Sequence, residues 1–490
     1  MYSHLPNTLY TAADLRELDR RAIQDYGIAG YELMTRAATA AFDDLRDRWP
    51  DAGSVAVLCG PGNNGGDGYV LARLAVNAGF AVTVLEFADP ERLRGDAATA
   101  RSDYLAAGGR PQPWSGALAD ADVIVDALLG TGLERPLEGV FTEAIAHVNA
   151  SRRPVLALDV PSGLHADTGA VLGQAVRAEL TSTFIGLKRG LFTADGPDHG
   201  GDIRFHDLDV PAEANAGLVP VERLDISQIA HHLRRRSRAA HKGLHGHLLV
   251  IGGDHGMGGA ARMAGEAALR VGAGLVSLAI RPAHTAAITA ARPELMCHGI
   301  ERPSDLEPLL QRASVVAIGP GLGRGDWGRD LLAQVLETGL PLVVDADALI
   351  ALADESARRD DWVLTPHPGE AARLLGTTTT AIQQDRFAAA TAIRERFGGV
   401  CVLKGTGTLV AGPGGVALCP AGNPGMASGG MGDVLTGVVA GLLAQHLSIE
   451  TAARVGVTLH ATAGDRAAAE GERGLLASDL FCWLRRLANP

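Results

Sequence analysis

The 490-residue chain has few aromatic residues, few cysteines and no long hydrophobic run. The five cysteines are scattered without a C-x-x-C pair, which favours reduced thiols over a disulfide framework. The longest apolar run, residues 434–444, is about half of the roughly 20 residues that span a bilayer. The N-terminal residues lack the basic stretch and apolar core of an export signal. We therefore expect a cytoplasmic protein that makes no use of a membrane.

Positive charge is also scarce, because the chain has 44 Lys and Arg residues against 56 Asp and Glu residues, which gives a net charge of −12. This balance leaves no general basic field for nucleic acid, and the local cluster Arg234-Arg235-Arg236 with Arg238 is interpreted as a solvated linker. Glycine is abundant, with 62 residues, and 47% of the chain is apolar. This composition is typical of α/β domains with many tight turns between strands and helices.

The chain repeats a strand–turn–helix rhythm twice, with an irregular segment at residues 212–238 between the two series. Strands are predicted at 54–59, 81–85, 122–126 and 155–159 in the first half, with a helix at 67–78. Comparable strands follow at 247–251, 315–318, 342–345, 362–365 and 400–404. We predict two three-layer αβα domains, residues 1–225 and 226–490, the first with a Rossmann-like doubly wound sheet.

The first half carries a glycine- and asparagine-rich segment, residues 60–68, between a strand and the predicted helix. Such a position suits a phosphate, although a plain turn is the alternative. Asn64, Asp126 and Ser162 offer amide, carboxylate and hydroxyl oxygens, which suit a hard cation of low charge. Asp159 ends another predicted strand, where it would act as a general acid or base or, alternatively, cap a helix.

Residues 60–68, 126–132, 159–163 and 188–190 resemble the epimerase domain of the NAD(P)H-hydrate repair family over residues 8–210. The resemblance implies interconversion of the R and S forms of NADH or NADPH hydrated at C6 of the nicotinamide ring, with Asp159 moving the proton. It implies potassium bound by Asn64, Asp126 and Ser162. The residues implied to contact the hydrate are Asn63, Asn64, Gly65, Gly66, Asp67, Gly130, Thr131, Gly132, Leu133, Glu134, Arg135, Pro136 and Asp159.

The second half is dominated by the glycine-rich segment 422–433, which ends in Gly432-Asp433 and runs into an apolar helix. Glycine amides and a helix N-terminus suit an anion such as phosphate. Asp433 in the first turn could accept a proton from a substrate hydroxyl beside that anion. The alternative is a glycine-rich turn that is capped by the aspartate. Residues 404–408 offer N–H and hydroxyl donors to a nucleotide or form a simple hairpin. His241, His245 and His247 are not interpreted as a metal site, because a strand separates neighbouring side chains and a fourth ligand is missing.

The order of these segments, with 241–243, 250–253, 272–275, 345–349 and 367–370, resembles ribokinase-like folds. It is closer still to the dehydratase domain of the same repair family, over residues 226–488. The resemblance implies dehydration of the S-hydrate with ADP or ATP and Mg²⁺, giving AMP or ADP and phosphate. Asp433 would be the base, and Gly321, His367 and Asp433 would contact the hydrate. The residues implied to contact the nucleotide are Lys404, Gly405, Thr406, Gly407, Thr408 and Gly432.

The sequence therefore predicts a bifunctional repair enzyme that acts on the hydrates NADHX and NADPHX and forms a homo-oligomer. A second interpretation is a ribokinase-like small-molecule kinase with an attached nucleotide-sensing domain. A third makes the first domain a binding module without catalysis, against which the intact Asp159 and Asn64 argue. The sequence does not decide between ADP and ATP.

Overall fold

A computed structural model describes residues 4–355 and 357–489 of the chain. The chain divides into two compact units between Glu222 and Arg223. Each unit is built from alternating strands and helices around a largely parallel sheet, as the sequence predicts. No helix in the described ranges combines the length and apolar character needed to cross a membrane. All five cysteines are free thiols.

The strands of the N-terminal unit are β1 Thr8–Tyr10, β2 Ser54–Cys59, β3 Ala81–Glu86, β4 Gln112–Pro113, β5 Val123–Ala127, β6 Val155–Leu158, β7 Leu180–Phe184, β8 Leu187–Lys188, β9 Asp202–His206 and β10 Val221–Arg223. Its helices are α1 Ala12–Gln24, α2 Gly30–Arg48, α3 Asn63–Asn77, α4 Gly95–Ala106, α5 Val140–Ser151 and α6 Gly196–Gly200.

Seven parallel strands form the N-terminal sheet in the order β4-β3-β2-β5-β6-β7-β9. The order of the chain reverses between β2 and β5, which is the place where a doubly wound sheet opens its ligand crevice. Alternate residues of these strands enter two separate apolar cores. One core lies against α2, α3 and α4 and the other against α5, so the unit has three layers.

The strands of the C-terminal unit are β11 His247–Ile251, β12 Leu275–Ile280, β13 Met296–Gly299, β14 Val315–Ile318, β15 Leu342–Val344, β16 Trp362–Leu364, β17 Val400–Leu403, β18 Thr408–Gly412 and β19 Gly415–Cys419. Its helices are α7 Ile226–Ile229, α8 Gly258–Val271, α9 Pro282–Ala291, α10 Glu307–Leu310, α11 Asp326–Leu336, α12 Ala346–Leu352, α13 Pro368–Leu375, α14 Thr379–Gln384, α15 Arg386–Phe397, α16 Met431–Ala444, α17 Ile449–Ala467 and α18 Leu480–Leu487.

The C-terminal sheet has the order β13-β12-β11-β14-β15-β16-β17-β18-β19. The first seven strands are parallel, and β18 and β19 are antiparallel. One face of the sheet packs on α8, α16, α17 and α18 in a single core. The alternate strand residues, such as Val316, Val344 and Leu364, are fully buried too, so helices cover both faces. The reversal of strand order between β11 and β14 opens a second crevice at the carboxyl ends of the strands.

Several strand ends differ from the sequence-based prediction by a single residue, and the start of one helix differs by more. Helix α3 begins at Asn63, whereas the sequence indicated a start at residue 67. Gly65, Gly66 and Gly68 therefore lie inside the helix, where Gly66 and Gly68 allow close packing. A Cβ on Gly68 would lie 2.6 Å from the Cβ of Ala127, and a Cβ on Gly66 would lie 2.5 Å from Met34. Asn63 to Asp67 therefore form the first turns of α3 directly above the crevice.

Candidate active sites

In the N-terminal unit, a buried set of oxygen atoms lies at the carboxyl ends of β2, β5 and β6. Asp126 is fully buried and accepts hydrogen bonds from the Ser162 hydroxyl at 2.6 Å and the Ser162 amide at 2.8 Å. The Ser162 hydroxyl oxygen also accepts from the Leu129 amide at 2.9 Å. Burial raises the pKa of Asp126 to about 6, while the hydrogen bonds from Ser162 limit the rise.

Asn64 is the unusual member of this set. Both its amide oxygen and its amide nitrogen are buried and have no hydrogen-bond partner among the described residues. Its Cβ and Cγ lie 3.5 and 3.6 Å from the place where Gly130 would carry a Cβ, so it abuts the loop that Ser162 anchors. An unpaired buried amide costs free energy unless something binds it. Amide, carboxylate and hydroxyl oxygens together fit a hard cation of low charge.

Asp159 lies beside this set, on the backbone that follows β6. Its φ of +68° is in the left-handed region, and its amide donates to the Ser182 carbonyl at 2.7 Å. Its carboxylate forms an ion pair with Lys188, whose buried ammonium also donates to the Phe184 carbonyl at 2.8 Å. No α-helix begins between Asp159 and Lys188, all of which the structure describes, so the helix-cap alternative is wrong.

Two further carboxylates face this ion pair. Burial, together with the nearby charges of Asp159 and Asp19, raises the pKa of Asp67 well above its usual range. The raised pKa favours the protonated form of Asp67, which can donate a hydrogen bond beside the ion-paired Asp159. Sequence reasoning missed Asp19, because a single acidic residue on an amphipathic helix looks like a solvated one. It noted Lys188 only as part of a motif.

The other predicted contacts lie on the rim of the same crevice. Gly130 is within reach of both Asn64 and Asp159, because a Cβ on Gly130 would lie 3.6 Å from Asp159 Oδ2. Beyond it, Gly132, Glu134, Arg135 and Pro136 are exposed, and Thr131 and Leu133 are partly exposed. The structure thus brings Asn64, Gly130 and Asp159 together and leaves residues 131–136 open to solvent.

In the C-terminal unit, the start of α16 forms the centre of the crevice. Gly430 precedes the helix with a φ of +92°, a conformation that favours glycine. Gly432 lies in the first turn, where a Cβ would come 3.3 Å from Lys404 Nζ and 3.6 Å from Asp345 Oδ2. Asp433 follows in the same turn. The positive end of the helix dipole and the amides of the first turn therefore lie next to this carboxylate.

Lys404 is held among carboxylates at the end of β17. Its Nζ lies 2.7 Å from Asp345 Oδ1 and 3.7 Å from Glu370 Oε2. Thr436 donates to the other oxygen of Asp345 at 2.8 Å. Burial alone would lower the pKa of Lys404, but Asp345 and Glu370 outweigh it and raise the pKa. Burial likewise opposes ionisation of Asp345, yet Lys404 holds its pKa below the usual range.

The Asp433 carboxyl titrates near neutrality. Burial and the negative charge of Asp345 raise its pKa to about 7, and Lys404 limits the rise. No hydrogen bond to this carboxylate is present in the described part of the chain. A general base works best when its pKa is close to the working pH, so Asp433 suits proton abstraction from a ligand hydroxyl.

The two remaining predicted contacts follow β14 and β16, which lie on either side of β15 in the sheet. Gly321, with a φ of +60°, accepts a hydrogen bond from the Asp254 amide at 2.7 Å. His367 caps α13, and its Nδ1 accepts from the amides of Gly369 and Glu370 at 3.0 and 3.2 Å. Because Glu370 also lies close to Lys404, His367 is next to the carboxylates that surround Lys404. Gly321 lies on the β14 side of the crevice.

Residues 404–407 form the turn of an antiparallel hairpin between β17 and β18. Sequence reasoning placed Lys404 on the nucleotide and missed its partners Asp345 and Glu370, as well as the Thr436 hydroxyl that donates to Asp345. The motif around Asp345 was recognisable as a strand end, but nothing in the sequence paired it with Lys404. Over the described ranges, no three His, Cys, Asp or Glu residues form a metal-binding group, which includes the histidines at 241, 245 and 247.

Comparisons with known proteins match a different family model to each of the two units. The family model described as YjeF-related protein N-terminus matches residues 30–190, and the model described as NAD(P)H-hydrate dehydratase matches residues 248–486. A bifunctional NAD(P)H-hydrate repair enzyme of Coxiella burnetii is 51% identical, covering 98% of this chain and 99% of its own.

Two solved structures resemble the C-terminal unit. An ADP/ATP-dependent NAD(P)H-hydrate dehydratase from Bacillus subtilis, co-crystallised with ATP and Mg²⁺, is 30% identical with a TM-score of 0.50 and covers 55% of this chain and 97% of its own. A ribokinase-like superfamily protein from Enterococcus faecalis is 30% identical with a TM-score of 0.51 and covers 55% of this chain and 96% of its own. The predicted ribokinase-like fold is confirmed. Since the likeness to the Coxiella protein runs through both units, this chain belongs to the bifunctional NAD(P)H-hydrate repair enzymes.

Proposed function

We propose that residues 1–225 interconvert the R and S hydrates of NADH and NADPH, and that residues 226–490 dehydrate the S form with ADP or ATP. The dehydration is supported most directly by the position and pKa of Asp433. This carboxyl has a pKa of about 7 and lies in the first turn of a buried helix. A base beside an anion-binding helix start suits transfer of a phosphoryl group to a hydroxyl. The dehydratase from Bacillus subtilis with ATP and Mg²⁺ supports the same choice of ligands.

In the N-terminal crevice, the hydrate is a carbinolamine, with its hydroxyl on the carbon next to the ring nitrogen. The ring can therefore open or ionise at C6 and close again on the other face. We assign the proton transfer to Asp159, whose position is set by Lys188 and by the Ser182 carbonyl. Asn63 to Asp67 and Gly130 to Pro136 would hold the hydrate, and Asp67 would donate a hydrogen bond to it in the protonated form that its raised pKa favours.

Potassium would be held by Asn64, Asp126 and Ser162, and would supply positive charge beside the hydrate. We expect Asn64→Ala to lose stabilisation by potassium without losing basal stability, because its amide has no protein partner to forfeit. Thermal melting in KCl and in choline chloride measures both effects, and the epimerisation rate should lose its potassium dependence as well. Asn149→Ala is the matched control, since the Asn149 amide pairs with Ala175 and Arg177. Equal potassium shifts in wild type and Asn64→Ala would contradict the site.

In the C-terminal crevice, Asp433 would take the proton of the C6 hydroxyl as its oxygen attacks the terminal phosphoryl group of the nucleotide. The amides of Gly429 to Gly432 would receive the charge that develops on that group. Loss of phosphate from C6 and of a proton from C5 then restores the double bond. Mg²⁺ would enter with the nucleotide, because this ion usually combines one or two carboxylates with substrate phosphates. Bound there, it would neutralise phosphate charge.

The nucleotide would contact the hairpin turn and the start of α16, through Lys404, Gly405, Thr406, Gly407, Thr408 and Gly432. The hydrate would contact Gly321, His367 and Asp433, which approach the crevice from β14, β16 and α16. The Lys404 side chain already has protein partners, Asp345 and Glu370. Its ammonium is therefore fixed near the transferring group and does not have to be ordered by the ligand.

The pH dependence of dehydration should follow Asp433. A base acts when it is deprotonated, so kcat/KM should be constant above about pH 8, half-maximal near pH 7 and fall about tenfold per unit below pH 6. Lys404→Met should move the midpoint to higher pH, because the Lys404 charge lowers the pKa of Asp433. Rates of NADH release from S-hydrate between pH 5.5 and 9 provide the test. A flat profile would exclude Asp433 as the base.

Incubation of the purified chain with mixed R and S hydrate, MgCl₂, KCl and either ADP or ATP tests the whole proposal. Absorbance of reduced nicotinamide reports the product. Full conversion supports both activities and identifies the nucleotide. If only the S form is converted and the R form disappears no faster than it converts to S without enzyme, the first unit is a binding module and not an epimerase. A stable phosphorylated alcohol in place of reduced nicotinamide would indicate the kinase alternative.

We also propose that the enzyme is a cytoplasmic homo-oligomer. Five free thiols support a reducing compartment, and the exposed Ile23, Tyr26 and Leu105 of the N-terminal unit support self-association. Sedimentation of the purified protein and fractionation of cells test the two statements separately.

A further inference from the structure

The turn between β17 and β18 is built from flexible backbone. The antiparallel pairs end at Leu403 and Leu409, and the connecting residues include Gly405 with a φ of +133° and Gly407 with a φ of +64°. Glycine adopts many backbone conformations, so the sequence of the turn alone does not fix the direction of its peptide groups. A turn that offers N–H donors to a ligand needs a restraint from outside itself.

Arg386 supplies such a restraint from behind the turn. It is the first residue of α15 and is 1% exposed. Its Nη2 donates to the carbonyl oxygens of Leu403, Lys404 and Gly407 at 3.2, 3.3 and 3.5 Å, and its Nη1 donates to Gln383 Oε1 at 2.9 Å. Burial lowers the pKa of Arg386 to about 10, so the guanidinium stays charged at neutral pH.

These contacts decide where the amides of the turn point. In a trans peptide unit the carbonyl and the following N–H point in opposite directions, and the peptide bonds of residues 403–408 are trans. A Lys404 carbonyl directed at Arg386 therefore turns the Gly405 N–H away from it. In the same way, the Gly407 carbonyl turns the Thr408 N–H away. Both donors belong to the segment assigned to the nucleotide.

We propose that Arg386 is a positioning residue that holds this turn in the conformation that binds the nucleotide, a role that rests on the nucleotide site proposed above. Arg386 does not touch the ligand. It acts by fixing three carbonyls on one side of the turn, so that the amide donors are aligned on the other before the nucleotide arrives. Gly405 belongs to the same arrangement, because a Cβ there would lie 2.8 Å from Arg386 Nη1.

Arg386→Lys keeps the charge and removes the fork that reaches several carbonyls at once. We expect the KM for ADP with Mg²⁺ to rise about tenfold, the loss expected for one or two hydrogen bonds from a charged donor. The KM for the hydrate and the epimerisation rate should stay at wild-type values. Initial rates of NADH release over a range of ADP concentrations give kcat and KM separately.

Arg359→Lys is the matched control in the same unit. Arg359 also donates to three carbonyls, those of Leu336, Thr338 and Leu340, at 3.1, 2.7 and 2.9 Å, but it precedes β16 at the opposite end of that strand from the crevice. This variant should lower the melting temperature and leave the KM for ADP unchanged. An unchanged KM in Arg386→Lys, or an equal rise in both variants, would overturn the inference.

Gln383→Ala covers the case in which Arg386→Lys does not fold. Gln383 is exposed and orients Arg386 through a single hydrogen bond, so its loss should raise the KM for ADP by a smaller factor without unfolding the unit. No rise in a folded Gln383→Ala protein, with Arg386→Lys unfolded, would count against Arg386 as a positioning residue. A wild-type protein that uses neither ADP nor ATP would refute the nucleotide site itself, which is a distinct outcome.

Discussion

Asp433→Asn should lower the rate of hydrate dehydration by about a thousandfold, within the range that loss of a general base produces. The amide has nearly the shape of the carboxylate, and no hydrogen bond to Asp433 from the described chain is lost. Its raised pKa of about 7 reflects burial and Asp345, so the neutral amide also relieves an unfavourable charge. We therefore expect a folded protein at least as stable as wild type, measured by thermal melting, together with a slow release of NADH.

The same variant should leave epimerisation intact, which distinguishes loss of the base from damage to the whole chain. The ratio of R to S hydrate, followed by chromatography without nucleotide, provides that control. Binding of ADP should also persist, because the proposed nucleotide donors lie on the hairpin turn and on the backbone of α16. Dehydration at the wild-type rate would remove Asp433 from the mechanism.

Asp159→Asn should lower the rate of epimerisation by about 10²- to 10⁴-fold, because the amide cannot accept and return a proton. It would also leave Lys188 buried without its carboxylate partner, which costs stability. The double variant Asp159→Asn with Lys188→Met removes both charges and should recover stability without recovering the rate. Exchange between the R and S hydrates, followed by chromatography, and thermal melting separate the two effects.

Asp122→Asn is the comparison for Asp159→Asn within the same unit. Asp122 accepts hydrogen bonds from the amides of Gly53 and Ser54 at 3.0 and 2.9 Å, just before β5 and away from the crevice. Its substitution should reduce stability and leave epimerisation unchanged. Full epimerase activity in Asp159→Asn would refute the role of Asp159.

Several elements could be predicted from the sequence because their signals are local. Strands such as β2 and β11 are short apolar runs bounded by glycine, and the sequence predicts both with the bounds that the structure shows. Asp433 follows a glycine-rich segment and precedes an apolar run, which places it in the first turn of α16. When a turn, a helix start and an acidic residue lie within a few residues of one another, the local sequence is enough to predict their relative positions.

Other features could not be predicted because they depend on residues far apart in the chain. Asp345 meets Lys404 and Thr436 only when β15, β17 and α16 converge, and no spacing rule relates these three residues. The early start of α3 depends on Met34 and Ala127, which lie against its glycines. The pKa values of Asp67 and Asp433 depend in the same way on burial and on distant charges, which become visible only in the folded structure.

The setting of α16 has a consequence for how the enzyme fails when it is heated or mutated. Every residue from Val434 to Ala444 is buried, and Gly437 allows the backbone of α8 to approach so closely that a Cβ there would clash with the Ala264 carbonyl. Asp433, the proposed base, and the amides proposed to bind phosphate therefore belong to an element that cannot open without opening the core of its unit. Core substitutions along α16 should reduce the quantity of active enzyme in a cell, while each surviving molecule repairs at its full rate.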